Sequence, residues 1–295
     1  MNKYHITSSG DAGVCKALIK CPFGGDSLHF ETPELARKAF EHMMSPLAAN
    51  IKRSLKSLDS DGLRQTLFSE AHAVGMDVPA LQKAAAFATL LHEGQYRAAA
   101  PGEARPPYIT HPLRNAVRGI RWGSKSTAQI LIALFHDIVE DSSFEYAKLN
   151  NIQVRDEHHA REILLAYIES EYGARVASGV FKLSNPLIDP IVKAKMTIEE
   201  KHDGYVVHVG DSIADDEDVL FVKLLDVHDN GAGLYHTDFP ARKVKTRLQA
   251  TKYLKTTPTL RAELARNPFS DPRTLIAAED SLDLIEARLL WMLSK

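Results

Sequence analysis

From Val78 to the C-terminus the chain is a succession of segments whose apolar residues recur every three to four positions. They read PALQKAAAFATLLHEGQ, HPLRNAVRGIRW, STAQILIALFHDIVED, DEHHAREILLAYIESEYG, DEDVLFVKLLDVHDN, PARKVKTRLQATKYLK and PRTLIAAEDSLDLIEARLLWML. That spacing gives each helix one apolar stripe, and striped helices bury it by stacking on one another. Breakers separate the segments at Pro101, Pro106, Pro107, Gly173, Pro186, Pro190, Gly210, Pro240 and Pro258. With no internal repeat and no second β-rich region, the body of the protein is predicted to be mainly α.

Residues 1–45 read differently. KYHIT and GVCKALIK have strand-like content around the turn-rich SSGDAG, and CPFGG ends the second run. TPELARKAFEHM then starts a helix, with Thr32 as N-cap, Pro33 at the first helical position and Glu34 in the first turn. The expected organisation is a small ββα module over 1–45, a linker or connecting helix over 46–77, and a helical domain over 78–295. His5, Cys15, Cys21 and His29 have the right side chains for zinc but not its usual spacing. With only two cysteines, a disulfide framework is not what holds the chain together. A net charge of −2 supplies no global field for gripping nucleic acid nonspecifically. No apolar stretch approaches the ~18 residues of a membrane span, and the N-terminus lacks a secretory signal, so a soluble, cytoplasmic protein is expected.

Chemistry concentrates in ALFHDIVEDS, residues 133–142, where an apolar run meets four ionisable groups. On a helix advancing about 100° per residue, His136, Asp137, Glu140 and Asp141 share one face, opposite Leu134, Phe135, Ile138 and Val139. An acidic amphipathic face explains this pattern as readily as a site does. Further donors exist elsewhere: His111 opens a helix after a Pro-Pro turn, and Asp226 lies in an apolar helix with Asn230 at i+4. These two also fit a capping histidine and a salt-bridged aspartate. Two His and two Asp make a mixed N/O set suited to Mn²⁺, Fe²⁺ or a similar ion. Arg97, Arg105, Arg114, Arg118, Arg121 and Lys125, against only Glu103, form a locally basic stretch that could attract polyphosphate or simply be an exposed face.

Five segments in one order, EGQYR, PYITHPL, HDIVED, GVFKLSNP and VKLLDVHDN, carry a resemblance to the HD-superfamily metal phosphohydrolases, and within them to small alarmone hydrolases of the Rel/Spo type. It covers about residues 79 to 255. The resemblance implies an HD-domain helical fold with a divalent metal, Mn²⁺ first, on His111, His136, Asp137 and Asp226. Glu140 and Asp141 would activate the attacking water, and Arg97, Tyr108, Lys182 and Asn230 would contact nucleotide and phosphates. The implied reaction removes the 3′-pyrophosphate from a purine nucleotide such as ppGpp or ppApp. A separately encoded toxic alarmone synthetase is an expected partner, with the chain as its antitoxin. The alternatives are another HD nucleotidase or phosphodiesterase, or a noncatalytic toxin-neutralising protein. The chain departs from the family pattern at Phe181, usually Thr, at Val227, usually Arg, and after Asn230, where Gly231, Ala232 and Gly233 replace a basic residue.

Overall fold

A computed structural model describes residues 4–6, 12–14, 32–35, 54–237 and 240–294, in two compact units, Met1–Leu58 and Asp59–Lys295. In the first, β1 (Tyr4–Ile6) and β2 (Ala12–Val14) pair antiparallel, with Tyr4 opposite Val14 and Ile6 opposite Ala12. Thr32 Oγ1 accepts from the Leu35 N–H at 3.2 Å, as an N-cap does. The remainder of the expected ββα module, with Cys15, Cys21 and His29, lies outside the described residues.

The second unit is helical. Its helices are α1 (Ser60–Ala73), α2 (Val78–Leu91), α3 (Thr110–Arg121), α4 (Thr127–Phe135), α5 (Ile138–Leu149), α6 (Glu157–Tyr172), α7 (Ala174–Leu183), α8 (Pro190–Lys195), α9 (Ile198–Ile213), α10 (Glu217–Val227), α11 (Lys243–Arg266) and α12 (Pro272–Leu293). Their starts follow from local chemistry. Asp59, Asp77, Ser126, Asp156, Asp189, Thr197, Asp216 and Asp271 each cap a helix, the side-chain oxygen accepting a first-turn N–H. Each such cap contributes about 1 kcal/mol.

The apolar run Ile130 to Phe135 becomes the hub. All six residues of α4 from Ile130 onward are at most 5% exposed, and α2, α3, α7 and α10 pack around them. Full burial of each large side chain contributes about 1.5–3 kcal/mol, so α4 anchors whatever follows it in the chain. Gly179 permits the α7 approach, since a Cβ there would lie 2.5 Å from Ile132 Cδ1. Among the described residues no helix is long and apolar enough to cross a membrane.

Several expectations are corrected. Pro258 does not end a helix but lies inside α11. Proline frees the carbonyl four residues back, and the Thr257 hydroxyl donates to that Leu254 oxygen at 3.1 Å. Gly210 likewise sits inside α9. Helices α7 and α9 are absent from the periodicity reading because Gly179, Gly204 and Gly210 and exposed Ile198 and Val207 blur their stripes. The capping box between Thr197 and Glu200 was the legible signal for α9. Finally, HDIVED is not one continuous helix, because α4 ends at Phe135 and α5 begins at Ile138. His136 Nδ1 lies 2.9 Å from the Ala133 carbonyl, competing for an acceptor of the regular ladder. The backbone at both junction residues stays right-handed, so the polar face survives the break.

Candidate metal centre

Three pieces of chain bring the site together. The α4–α5 junction presents His136 and Asp137, the first turn of α3 presents His111, and the end of α10 presents Asp226. His111 Nε2 is 3.2 Å from both His136 Nε2 and Asp226 Oδ1. Asp137 Oδ2 lies 3.1 Å from His136 Nε2 and 3.6 Å from His111 Nε2. Donors bound to one ion at about 2.1 Å stand roughly 3.0–3.4 Å apart, so these spacings match the edges of a coordination polyhedron. His111, His136 and Asp226 form a buried group that could hold a metal ion, their donor atoms all within 4.8 Å of one another.

The hydrogen bonds behind the rings fix which atoms face inward. His111 Nδ1 donates to Asp229 Oδ2 at 2.8 Å, and His136 Nδ1 to the Ala133 carbonyl. In its neutral form each ring would carry its proton at Nδ1 and turn Nε2 toward the other. Two nitrogen lone pairs and two carboxylate oxygens converging in this way repel one another unless a cation stands among them. The titration behaviour agrees. Burial opposes charge on His136, yet Asp137 and Asp226 push its pKa up to about 10. Burial raises the Asp137 and Asp226 pKa values, but His136 outweighs it for Asp137, and Lys223 with the two histidines outweighs it for Asp226, so both stay below the usual carboxylate range. The carboxylates thus favour positive charge at the group, whether a proton on His136 or a bound cation.

Buried supports hold the group. Asp229, just past α10 in the π-helical turn His228–Ala232, accepts from Arg114 Nε and Nη2 at 2.8 and 2.7 Å and from Arg118 Nη2 at 3.2 Å. The expected basic stretch is thus not an exposed phosphate attractor: Arg114 and Arg118 are buried against Asp229, and Arg121 pairs with Glu70 at 2.8 Å. Sequence reading missed Asp229, whose signal was position: it stands three residues beyond Asp226, on the same helical face.

Of the expected substrate contacts, Arg97, Tyr108 and Asn230 reach the group. Arg97 N–H donates to the Pro106 carbonyl and Tyr108 N–H to the Gln95 carbonyl, a short antiparallel bridge that sets the two side chains together. The Arg97 guanidinium stacks 5.4 Å from the Tyr108 ring centroid and donates to Asn230 Oδ1 at 2.7 Å. Asn230 Nδ2 donates to Asp226 Oδ1, and the Tyr108 hydroxyl to Asp137 Oδ2, both at 2.7 Å. Burial, then the Asp137 charge, raises the Tyr108 pKa, which keeps it a donor. Lys182 goes elsewhere, because its Nζ pairs with Asp216 Oδ2 at 2.7 Å and it lines a separate cavity of about 700 Å³ with His158, Arg161, Phe181 and His208. Phe181 is 63% exposed, and Val227 is fully buried.

Glu140 and Asp141 follow on the first turn of α5. Glu140 Oε2 accepts from the Asn185 N–H at 3.1 Å and its Nδ2 at 2.8 Å, which immobilises it. Asp141 is exposed as a residue, but burial of its carboxyl beside the group, then the charges of Asp137 and Glu140, raise its pKa to about 7. The chain matches no family model and no curated protein.

Proposed function

We propose that the chain is a metal-dependent phosphohydrolase of the HD type that removes the 3′-pyrophosphate from a purine alarmone such as ppGpp or ppApp. The observation that carries this reading is the convergence of two imidazole Nε2 atoms and two carboxylate oxygens at 3.1–3.6 Å. His111, His136, Asp137 and Asp226 would hold the ion, Mn²⁺ by their mixed N/O chemistry. A divalent ion there supplies Lewis acidity, lowering the pKa of water and polarising a phosphoryl oxygen.

The rest is done by the chain. Asp141, with a pKa near neutrality, accepts the proton of the attacking water. Glu140, pinned by Asn185, fixes the direction of attack. Tyr108 holds Asp137 in place, and Arg97 offers its remaining guanidinium N–H groups to the leaving pyrophosphate. Hydrolysis of a signal made by a separately encoded synthetase would make this cytoplasmic enzyme that toxin's antitoxin.

A second reading, another HD nucleotidase or phosphodiesterase, is favoured by Lys182, which is paired with Asp216 rather than offered to a substrate at the metal group. Incubating Mn²⁺-loaded protein with 3′-pyrophosphorylated nucleotides, 5′-nucleotides and cyclic dinucleotides separates the two. Pyrophosphate release from the first panel supports the leading reading, while orthophosphate or an opened diester supports the second. Inactivity on every panel with the ion bound would remove both, as would full activity in His136→Ala.

A further inference from the structure

Beside the metal group stands a second set of side chains that the proposed chemistry leaves unused. Lys252 on α11 lies between two aromatic faces, its Nζ 4.2 Å from the ring centroid of Tyr205 on α9 and 4.5 Å from that of Tyr253. Lys223 on α10 is buried, 5.9 Å from the same Tyr205 ring and 3.3 Å from Asp226 Oδ2. One turn further along α11, Lys255 pairs with Glu199 and Asp203. Among the described residues, no carboxylate comes within ion-pair distance of Lys252. Tyrosine faces replace only part of the hydration an ammonium loses on leaving water. Burial accordingly lowers the Lys252 pKa, with Lys223 adding to the effect and Asp226 and Glu140 opposing it.

The charge balance of the site points the same way. Arg97, Arg114, Arg118, Lys223 and Lys252 are the cationic side chains near the carboxylates of Asp137, Glu140, Asp226 and Asp229. Arg114 and Arg118 are committed to Asp229, and Lys223 to Asp226. The uncommitted charge is that of Lys252, together with Arg97, which donates to Asn230 and, among the described residues, has no carboxylate within ion-pair distance.

We infer that Lys252, held between the rings of Tyr205 and Tyr253, forms an anion subsite beside the metal group that takes the second phosphate of a diphosphate and so selects diphosphate over monophosphate. The inference rests on the metal-dependent phosphohydrolase reading. A single phosphate at the ion leaves the Lys252 ammonium without a counter-charge, whereas a diphosphate neutralises both centres at once.

The test is equilibrium dialysis of the Mn²⁺-loaded full chain against radiolabelled inorganic pyrophosphate or orthophosphate, kept below the protein's Mn²⁺ content, with retained Mn²⁺ measured on the same samples. Pyrophosphate should bind the wild type at least about tenfold more tightly than orthophosphate. Lys252→Met keeps the stem and removes the charge; it should retain Mn²⁺ and lose pyrophosphate affinity by about tenfold to a hundredfold. Lys252→Arg should restore most of that loss. Equal affinity of the wild type for the two anions overturns the subsite, a comparison that needs no variant. Undiminished pyrophosphate binding in Lys252→Met overturns it as well. A wild type that retains no Mn²⁺ instead removes the functional reading beneath it.

Discussion

Replacing Asp229 by Asn tests whether the buried network behind His111 sets the metal affinity. The Asp229 side chain is 0% exposed and serves His111, Arg114 and Arg118 together. Asparagine keeps the shape and one carbonyl acceptor, but it removes the charge and turns an amide N–H₂ toward donors. Breaking one side of a buried ion pair typically costs about 3–5 kcal/mol, and the retained acceptor places this change near the lower figure. For a domain of this size about 3 kcal/mol corresponds to a fall in Tm of roughly 6–12 °C. A separate effect falls on the ion. Without a carboxylate at Nδ1, His111 is free to carry its proton on Nε2, where it blocks coordination. Loss of such an outer partner weakens metal binding by about 10–100-fold. Thermal unfolding without metal reads the first effect, and a Mn²⁺ titration well below the variant's Tm reads the second. ¹⁵N resonances of the His111 ring report the tautomer. An Asp229→Asn protein with unchanged Tm and unchanged Mn²⁺ affinity would refute the reasoning.

Asp141→Asn and Glu140→Gln should keep Mn²⁺ while kcat falls by about 10²–10⁴ in at least one of them; parallel loss of metal would make these residues ligands instead. Because the Asp141 pKa is raised to about 7, the wild-type rate should fall as pH drops from 8 to 6, and this limb should vanish in Asp141→Asn. The same shift has a stability sign: the folded state holds the Asp141 proton more tightly than the unfolded chain does. Metal-free wild type should therefore gain stability relative to Asp141→Asn as pH falls from 8 towards 4, and a gap that stays constant across that range would contradict the shift. Gly179→Ala drives a Cβ into Ile132, which is fully buried, and should cost about 1–3 kcal/mol by denaturant unfolding; no loss would mean α7 and α4 are not tightly packed. A chain shortened to residues 59–295 should fold and bind Mn²⁺ as the full chain does, since every proposed ligand lies in the second unit. A folded fragment that binds none would place part of the site in the N-terminal unit.

The sequence by itself determined the helical class and most helix starts, because apolar spacing and Asp, Ser or Thr caps are local signals that act within a turn or two of chain. It also singled out His111, His136, Asp137 and Asp226, whose residue types are costly in apolar surroundings without a purpose. What it could not determine was pairing across distance. Arg114, Arg118 and Lys182 look alike as basic residues, yet the first two are sequestered by Asp229, more than a hundred residues away in the chain, and Lys182 by Asp216. The same limit hid the tautomers, since only the placement of Asp229 and of the Ala133 carbonyl beside the two rings turns both Nε2 atoms inward. Lys252 shows it most plainly: in sequence it is one lysine among several on an exposed-looking helix, and only the packing of α9 and α10 against α11 sets it beside Asp226 between two tyrosines. Charge and donor type are written residue by residue, but partnership is a property of packed surfaces, and packing is what brings distant residues within the few ångströms over which hydrogen bonds and desolvation act.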